Sequence, residues 1–135
     1  MYLFDTNIFF ELLYNRAHCQ SVLSCMELCP DGSIFMSDFS YHSLGLILFN
    51  SKKKEIFANF YHDIISSGKV HIISLSPVHT RKLIENSDQF NLDFDDAYQL
   101  TVSMTAGLTL ISYDSDFDAV PNGRVTPEEL MITLQ

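Results

Sequence analysis

The sequence predicts an α/β fold, a three-layer α/β/α sandwich with a mostly parallel central sheet. Three observations predict it. Short apolar runs rich in β-branched residues alternate with longer stretches of helical periodicity. Turn residues cluster between these stretches and rarely inside them. Each of the first three strand signals is followed by helical chain before the next, which is the connection that parallel strands require. The length, 135 residues, suits a single domain over residues 1–135, and no repeat, linker or low-complexity segment interrupts it.

Tyr2–Phe4 is the first strand and runs into Asp5-Thr6-Asn7, after which Ile8–Tyr14 continues with helical apolar spacing. His18–Cys29 is a second helix, closed by Pro30-Asp31-Gly32. Ile34–Met36 is the second strand. Ser37 and Asp38 are capping residues for a helix to about Phe49. Lys52–Ser66 is another helix, with Ile56, Phe57, Phe60 and Ile64 as its apolar stripe and Ser67-Gly68 as its stop. Val70–Leu75 is the third strand. Ser76-Pro77 pairs an N-cap with a proline in the first turn and opens a helix to about Asn86. Asp93 and Asp96 have the spacing of an acidic capping box for a helix over Asp95–Ala106 that Gly107 ends. Thr109–Ser112 is the fourth strand. Val125 begins a short fifth, followed by a turn of helix at Pro127–Leu130.

Composition narrows the function classes. Hydrophobic residues at 47% exclude a disordered chain. A net charge of −9 argues against gripping nucleic acid by a bulk positive field, though a local basic patch remains allowed. The charge is uneven: residues 1–87 hold eight acids and seven bases, whereas residues 88–135 hold nine acids and only Arg124. Such crowding costs self-repulsion unless it is solvated or binds cations. Cys19, Cys25 and Cys29 are an odd set with no zinc-module spacing, so they read as free, buried thiols of a reducing compartment. No leader-like segment precedes the first strand, and no apolar run approaches the ~18 residues of a membrane span, so a cytoplasmic protein is expected.

In open parallel sheets, sites form beyond the carboxyl ends of the strands. Asp5 follows the first strand and Asp114 the fourth, with Asp116 two residues on. Asp96 lies in the first turn of its helix, where a carboxylate is well tolerated. If that helix opens on the same edge, Asp5, Asp96, Asp114 and Asp116 make one acidic pocket. Clustered carboxylates need a counter-charge, and hard divalent cations such as Mg²⁺ or Mn²⁺ supply it through oxygen ligands. Such a cation supports displacement at phosphorus, which points to phosphodiester hydrolysis. Each acid also has a structural alternative. Asp5 and Asp93 can cap helices, Asp95 and Asp118 can face water, and Asp96 can simply answer the helix dipole.

At this point the sequence resembles PIN domains. The resemblance is carried by strand–Asp5-Thr6-Asn7–helix, by Leu92-Asp93-Phe94-Asp95-Asp96-Ala97 leading into a helix, by Leu108 to Phe117, and by the closing Val125-Thr126-Pro127-Glu128-Glu129. It implies a metal-dependent ribonuclease in which Asp5, Asp96 and Asp114 are catalytic and hold Mg²⁺ or Mn²⁺ with Asp116. It further implies that Thr6, Asn7 and Ser112 orient ligands and waters. Small stand-alone members of the VapC kind are toxins of toxin–antitoxin pairs, which implies an RNA substrate, a homodimer and a small antitoxin partner. One departure stands out. The family places a Glu on the helix after the second strand, and counting from Ser37 reaches Ser43, beside His42. Either Asp38 or Asp93 supplies the missing charge, or His42 acts in its place, or the site is weakened.

An acidic pocket needs flanking bases to hold RNA. Lys52-Lys53-Lys54, Arg81-Lys82 and Arg16 are the candidates, each with a solvated helix face as its alternative. The surplus of aromatics, Phe9, Phe10, Tyr14, Phe39, Tyr41, Phe49, Phe57, Phe60 and Tyr61 among them, suits a subunit interface or a groove for an antitoxin helix. The leading expectation is therefore a metal-dependent endoribonuclease. The alternative is a PIN-like module that binds RNA or protein and cleaves poorly. A phosphatase with an Asp nucleophile is disfavoured, because Asn7 stands where its second Asp belongs.

Overall fold

Residues 1–135 are described by a computed structural model of the chain. Four short strands, β1 (Tyr2–Phe4), β2 (Ile34–Ser37), β3 (His71–Ile73) and β4 (Thr109–Ile111), form one sheet in the order β3-β2-β1-β4. All pairings are parallel, and Leu3 at the centre faces Phe35 on one side and Leu110 on the other. Seven α-helices surround the sheet: α1 (Thr6–Leu13), α2 (Cys19–Leu28), α3 (Asp38–Asn50), α4 (Lys54–Phe60), α5 (Thr80–Phe90), α6 (Phe94–Ala106) and α7 (Pro127–Leu134).

Strand alternation divides the core in two. Phe4, Ile34, Met36 and Ile111 face one way, onto Ile8 and Phe9 of α1, Val22 and Met26 of α2, Leu44 of α3, Phe60 of α4 and Leu130 of α7. Leu3 and Leu110 face the other way, onto Ala97, Leu100 and Val102 of α6, with Leu83 of α5 beside them. The three-layer α/β/α arrangement follows. Each fully buried Phe, Leu or Ile adds about 1.5–3 kcal/mol of apolar burial, and Leu3, Phe4, Ile8, Phe9 and Ile111 are all fully buried.

Several elements differ from the sequence expectation for local reasons. The third strand stops at Ile73 rather than Leu75, because its only neighbour, β2, ends at the Ser37–Ile73 pair. The helix expected over 52–66 starts at Lys54, since Lys52 takes a left-handed backbone with φ 59°. It then widens into a π-helical turn over Tyr61–Ile65, which leans both Ile64 and Ile65 on the core. Pro77–His79 form a 3₁₀ turn before α5. That helix passes beyond Asn86 to a left-handed cap at Asn91, because Asn86 is buried inside it and donates to Thr101 Oγ1 at 3.0 Å. Val125 makes a single bridge to Ile111 rather than a strand. Thr126 and Glu129 close a reciprocal capping box that carries α7 to Leu134. A 3₁₀ turn over Ser115–Ala119 was not expected.

The chain leaves β1 toward β2 on one side, while β4 returns on the other. This reversal opens a crevice beyond the carboxyl ends of β1 and β4, the place where open α/β sheets hold ligands.

Candidate active site

Asp5 ends β1 and caps α1, accepting from Thr6 N at 2.7 Å. Three further donors meet the same carboxylate. Gln99 Nε2 reaches Oδ1 at 2.8 Å, and Ser112 Oγ and Asn7 Nδ2 reach Oδ2 at 2.7 and 3.0 Å. Asp5 is only 5% exposed, and burial, the largest influence, pushes its carboxyl upward against the pull of these donors. Four donors fill the acceptor sites that a carboxylate offers.

The surrounding hydroxyls and amides form a connected network. Ser112 Oγ accepts from Asp114 N at 2.9 Å and from Asn7 Nδ2 at 3.0 Å, and Tyr113 N donates to Asn7 Oδ1. Ser40 Oγ lies 2.6 Å from Gln99 Nε2 and 2.7 Å from Thr6 Oγ1, and accepts from Ser37 Oγ at 3.1 Å. The network thus ties β1, α1, α3, α6 and the loop after β4 together.

Asp96 is in the first turn of α6, with its backbone N–H held by the cap residue Asp93 at 3.0 Å. Asp114 follows β4 and caps the 3₁₀ turn by accepting from Asp116 N at 2.9 Å. Carboxylate oxygens of Asp96, Asp114 and Asp116 lie within 4.8 Å of one another. Burial, then the charges of Asp114, Asp93, Asp5 and Asp116, push the Asp96 carboxyl up to about 7. Neighbouring Asp95 is raised as well, by burial and by Asp93.

Asp5, Asp95, Asp96 and Asp114 open onto a cavity of about 230 Å³ that Thr6, Asn7, Gln99, Ser43, Phe10 and Phe39 complete. No Lys or Arg lines it. Its volume falls below the ~300–1,000 Å³ of pockets that enclose small-molecule ligands. It suits a cation and a small part of a larger molecule. The donor set is entirely oxygen, which matches a hard divalent cation. Gln99 Oε1 is buried without a hydrogen-bond partner.

The PIN domain sequence profile matches residues 2–123. The chain belongs to the PIN domain family. Its fold is similar to three solved structures. A chain from "Toxin-antitoxin complex from Klebsiella pneumoniae" superposes with a TM-score of 0.74 at 22% identity, covering 94% of this chain and 98% of the other. FitAcB from Neisseria gonorrhoeae gives 0.70 at 18% identity, covering 95% and 99%. A Pyrobaculum aerophilum protein gives 0.66 at 19% identity, covering 98% and 95%. No curated protein sequence matches the chain.

Within this PIN domain, the sequence-derived residues take different places. Asp5, Asp96 and Asp114 line one cavity with Thr6 and Asn7, and Ser112 ties Asp5 to Asp114 from behind. Asp116 joins the carboxylate group from the exposed side. Asp93 is the cap of α6. On α3, Ser43 faces the cavity, whereas His42 is exposed outside it. Asp38 Oδ1 is taken up by Phe39 N at 2.8 Å and by the Tyr98 hydroxyl at 2.7 Å, away from the pocket. The missing Glu therefore has no acidic substitute on α3 in the cavity. Sequence reasoning missed Gln99 and Ser40. Gln99 was findable: it stands three residues after Asp96, on the same helix face, as a polar residue in an otherwise buried stretch. Ser40 left no such signal, because it reads as a helix N-terminal serine like Ser37.

Proposed function

We propose that this PIN domain, taken as a single domain over residues 1–135, is a metal-dependent endoribonuclease and the toxin of a toxin–antitoxin pair. The observation that carries the reading is the convergence of Asp96, Asp114 and Asp116 at the switch-point crevice, with no base among the lining residues. Asp96, Asp114 and Asp116 would hold Mg²⁺ or Mn²⁺, with Asp5 as the buried charge behind them. When bound, the metal supplies an activated water and charge stabilisation at phosphorus. The remaining work belongs to the chain. Asp5, clamped by four donors, keeps a fixed position and passes it to Asp114 through Ser112. The carboxylates orient water for in-line attack on a phosphodiester. The new P–O bond replaces the bond to the leaving ribose oxygen, which takes up a proton. Catalytic roles thus fall to Asp96 and Asp114, with Asp116 beside them, and positioning roles to Asp5, Thr6, Asn7 and Ser112.

The family membership and the likeness to a chain of a toxin–antitoxin complex support the wider reading, with RNA as substrate and a small antitoxin as partner. A groove lined by Leu12, Leu13, Leu23, Ile56, Phe60 and Ile64 suits an amphipathic antitoxin helix or a second copy in a homodimer. No helix is long and apolar enough to cross a membrane, and a cytoplasmic site of action fits RNA cleavage.

Ser43 at the cavity, where the family carries Glu, favours a second reading: a PIN domain that binds RNA or protein and cleaves weakly. Cleavage of mixed end-labelled RNAs with Mn²⁺, Mg²⁺ or EDTA decides between them, with Asp96→Asn as control. Metal-dependent cutting that the variant loses establishes the nuclease. Folded protein that leaves every RNA intact overturns the nuclease reading and favours the binding module.

A further inference from the structure

Only two ion pairs form in the whole chain, Arg124 with Asp118 and His18 with Glu128. The other seven Lys and Arg residues have no carboxylate partner, although acids outnumber bases by 17 to 8. Four of the seven gather on one side of the acidic cavity, and aromatic rings hold three of these four.

The row begins in the cavity wall. Phe10 lines the cavity, and its ring centroid lies 5.7 Å from that of Tyr14, one turn further along α1. The Arg16 guanidinium sits over both rings, 5.7 Å from Phe10 and 5.4 Å from Tyr14. Lys53 Nζ reaches the Tyr14 ring at 4.4 Å. Lys53 also borders an open groove shared with Lys52, Lys54 and Phe49, where Lys54 Nζ lies 4.9 Å from the Phe49 ring. Phe10 belongs to the cavity and Lys53 to the groove, so the row is continuous from one to the other. The second basic pair, Arg81-Lys82 on α5, makes no such aromatic contact.

We propose that this row, Phe10–Tyr14–Arg16–Lys53 with the groove of Lys52 and Lys54, is a track for single-stranded RNA entering the acidic cavity. Its direction of travel rests on the nuclease reading. The cavity is too small to enclose a nucleotide chain, so the strand on either side of the reacting phosphate must lie outside. Cations resting on rings keep their N–H edges free for phosphate, because none of them forms an ion pair, although Glu55 also lines the groove. Half-exposed Phe49 offers ring surface beside Lys54 on which an unpaired base stacks. A duplex buries those base faces against one another, so it gains the phosphate contacts alone. The fit is therefore to a single strand.

The test measures binding of a labelled RNA 12-mer, single-stranded or in duplex, in EDTA, with cleavage in Mn²⁺ as a separate arm. Wild type is expected to prefer the single strand. Arg16→Gln with Lys53→Gln should weaken its binding about 10-fold and lower the salt slope by roughly 1.4, about 0.7 for each lost phosphate contact. Tyr14→Leu should weaken it about 10-fold, while Tyr14→Phe, which keeps the ring and guards against a folding artefact, should bind as wild type. Equal binding by all four proteins, or equal affinity for duplex, overturns the track. So does a result in which the same variants lose an Asp/Glu-rich peptide but not RNA. A wild type that binds through this row yet never cleaves refutes the nuclease reading and leaves the track standing. A wild type that cleaves, with variants cleaving equally at every salt concentration, does the reverse.

Discussion

Gln99 Nε2 donates to Asp5 Oδ1 at 2.8 Å across 94 residues of sequence, joining the middle of α6 to the end of β1 beneath the acidic cavity. The same amide nitrogen lies 2.6 Å from Ser40 Oγ, so one side chain sets the distance between α3, α6 and the central strand. Because Asp5 is buried, each of its donors counts for more than a surface hydrogen bond would.

Gln99→Leu keeps the volume and removes the donor. It should destabilise the fold by about 1–3 kcal/mol in urea denaturation and lower Mn²⁺ affinity by roughly 10-fold or more, as loss of an orienting partner does. Gln99→Glu sets a second carboxylate against Asp5. Its loss of stability should be larger at about pH 8 than at about pH 4, where one of the pair is protonated. Equal stability of all three proteins would remove Gln99 from the site's support.

Asp96→Asn and Asp114→Asn should each lower cleavage by at least ~100-fold, beyond the usual cost of an outer partner. Both should also raise the thermal midpoint of the metal-free protein at about pH 8, where Asp96 is ionised, because each removes a charge from a repelling group. A lower midpoint in calorimetry, with Mn²⁺ absent, would count against that repulsion.

The Asp96 carboxyl stands at about 7, well above its ordinary value, so the folded chain favours its protonated form. This group's contribution to stability is full below the ordinary carboxylate range and is lost as pH rises through about 7. The metal-free protein should therefore lose thermal stability from about pH 5 to about pH 8. Asp96→Asn should flatten that trend, and Mn²⁺ should oppose it, since the ion binds the ionised form. Differential scanning fluorimetry across this range reads all three.

Ser43→Glu restores a carboxylate where α3 meets the cavity. Mn²⁺ affinity measured by calorimetry should rise, and cleavage should rise with it. No change in affinity would mean that position 43 does not reach the ion.

Much of the fold was legible in the sequence because it rests on local rules. The Asp93 cap on Asp96 N, the Pro77 and Pro127 starts and the Gly107 stop are set by neighbouring residues and read directly. The elements that departed from expectation depend on distant partners: β3 ends where β2 ends, and Val125 has only one bridge to make. The acidic residues of the site were likewise visible, because strand ends and helix starts are points that topology places on one edge.

What the amino-acid sequence by itself determined is which acids stand at those points. The tertiary structure alone decided how they share the work. Asp5 is wrapped by donors from three other elements, while Asp96, Asp114 and Asp116 lie close together and only Asp114 accepts a hydrogen bond, from Asp116 N. It also decided that Ser43 rather than His42 or Asp38 meets the cavity, and that Arg16 and Lys53 converge on Tyr14. The physical reason is common to all of these. Helix phase and crossover packing bring together side chains up to 107 residues apart, and no local spacing encodes that distance.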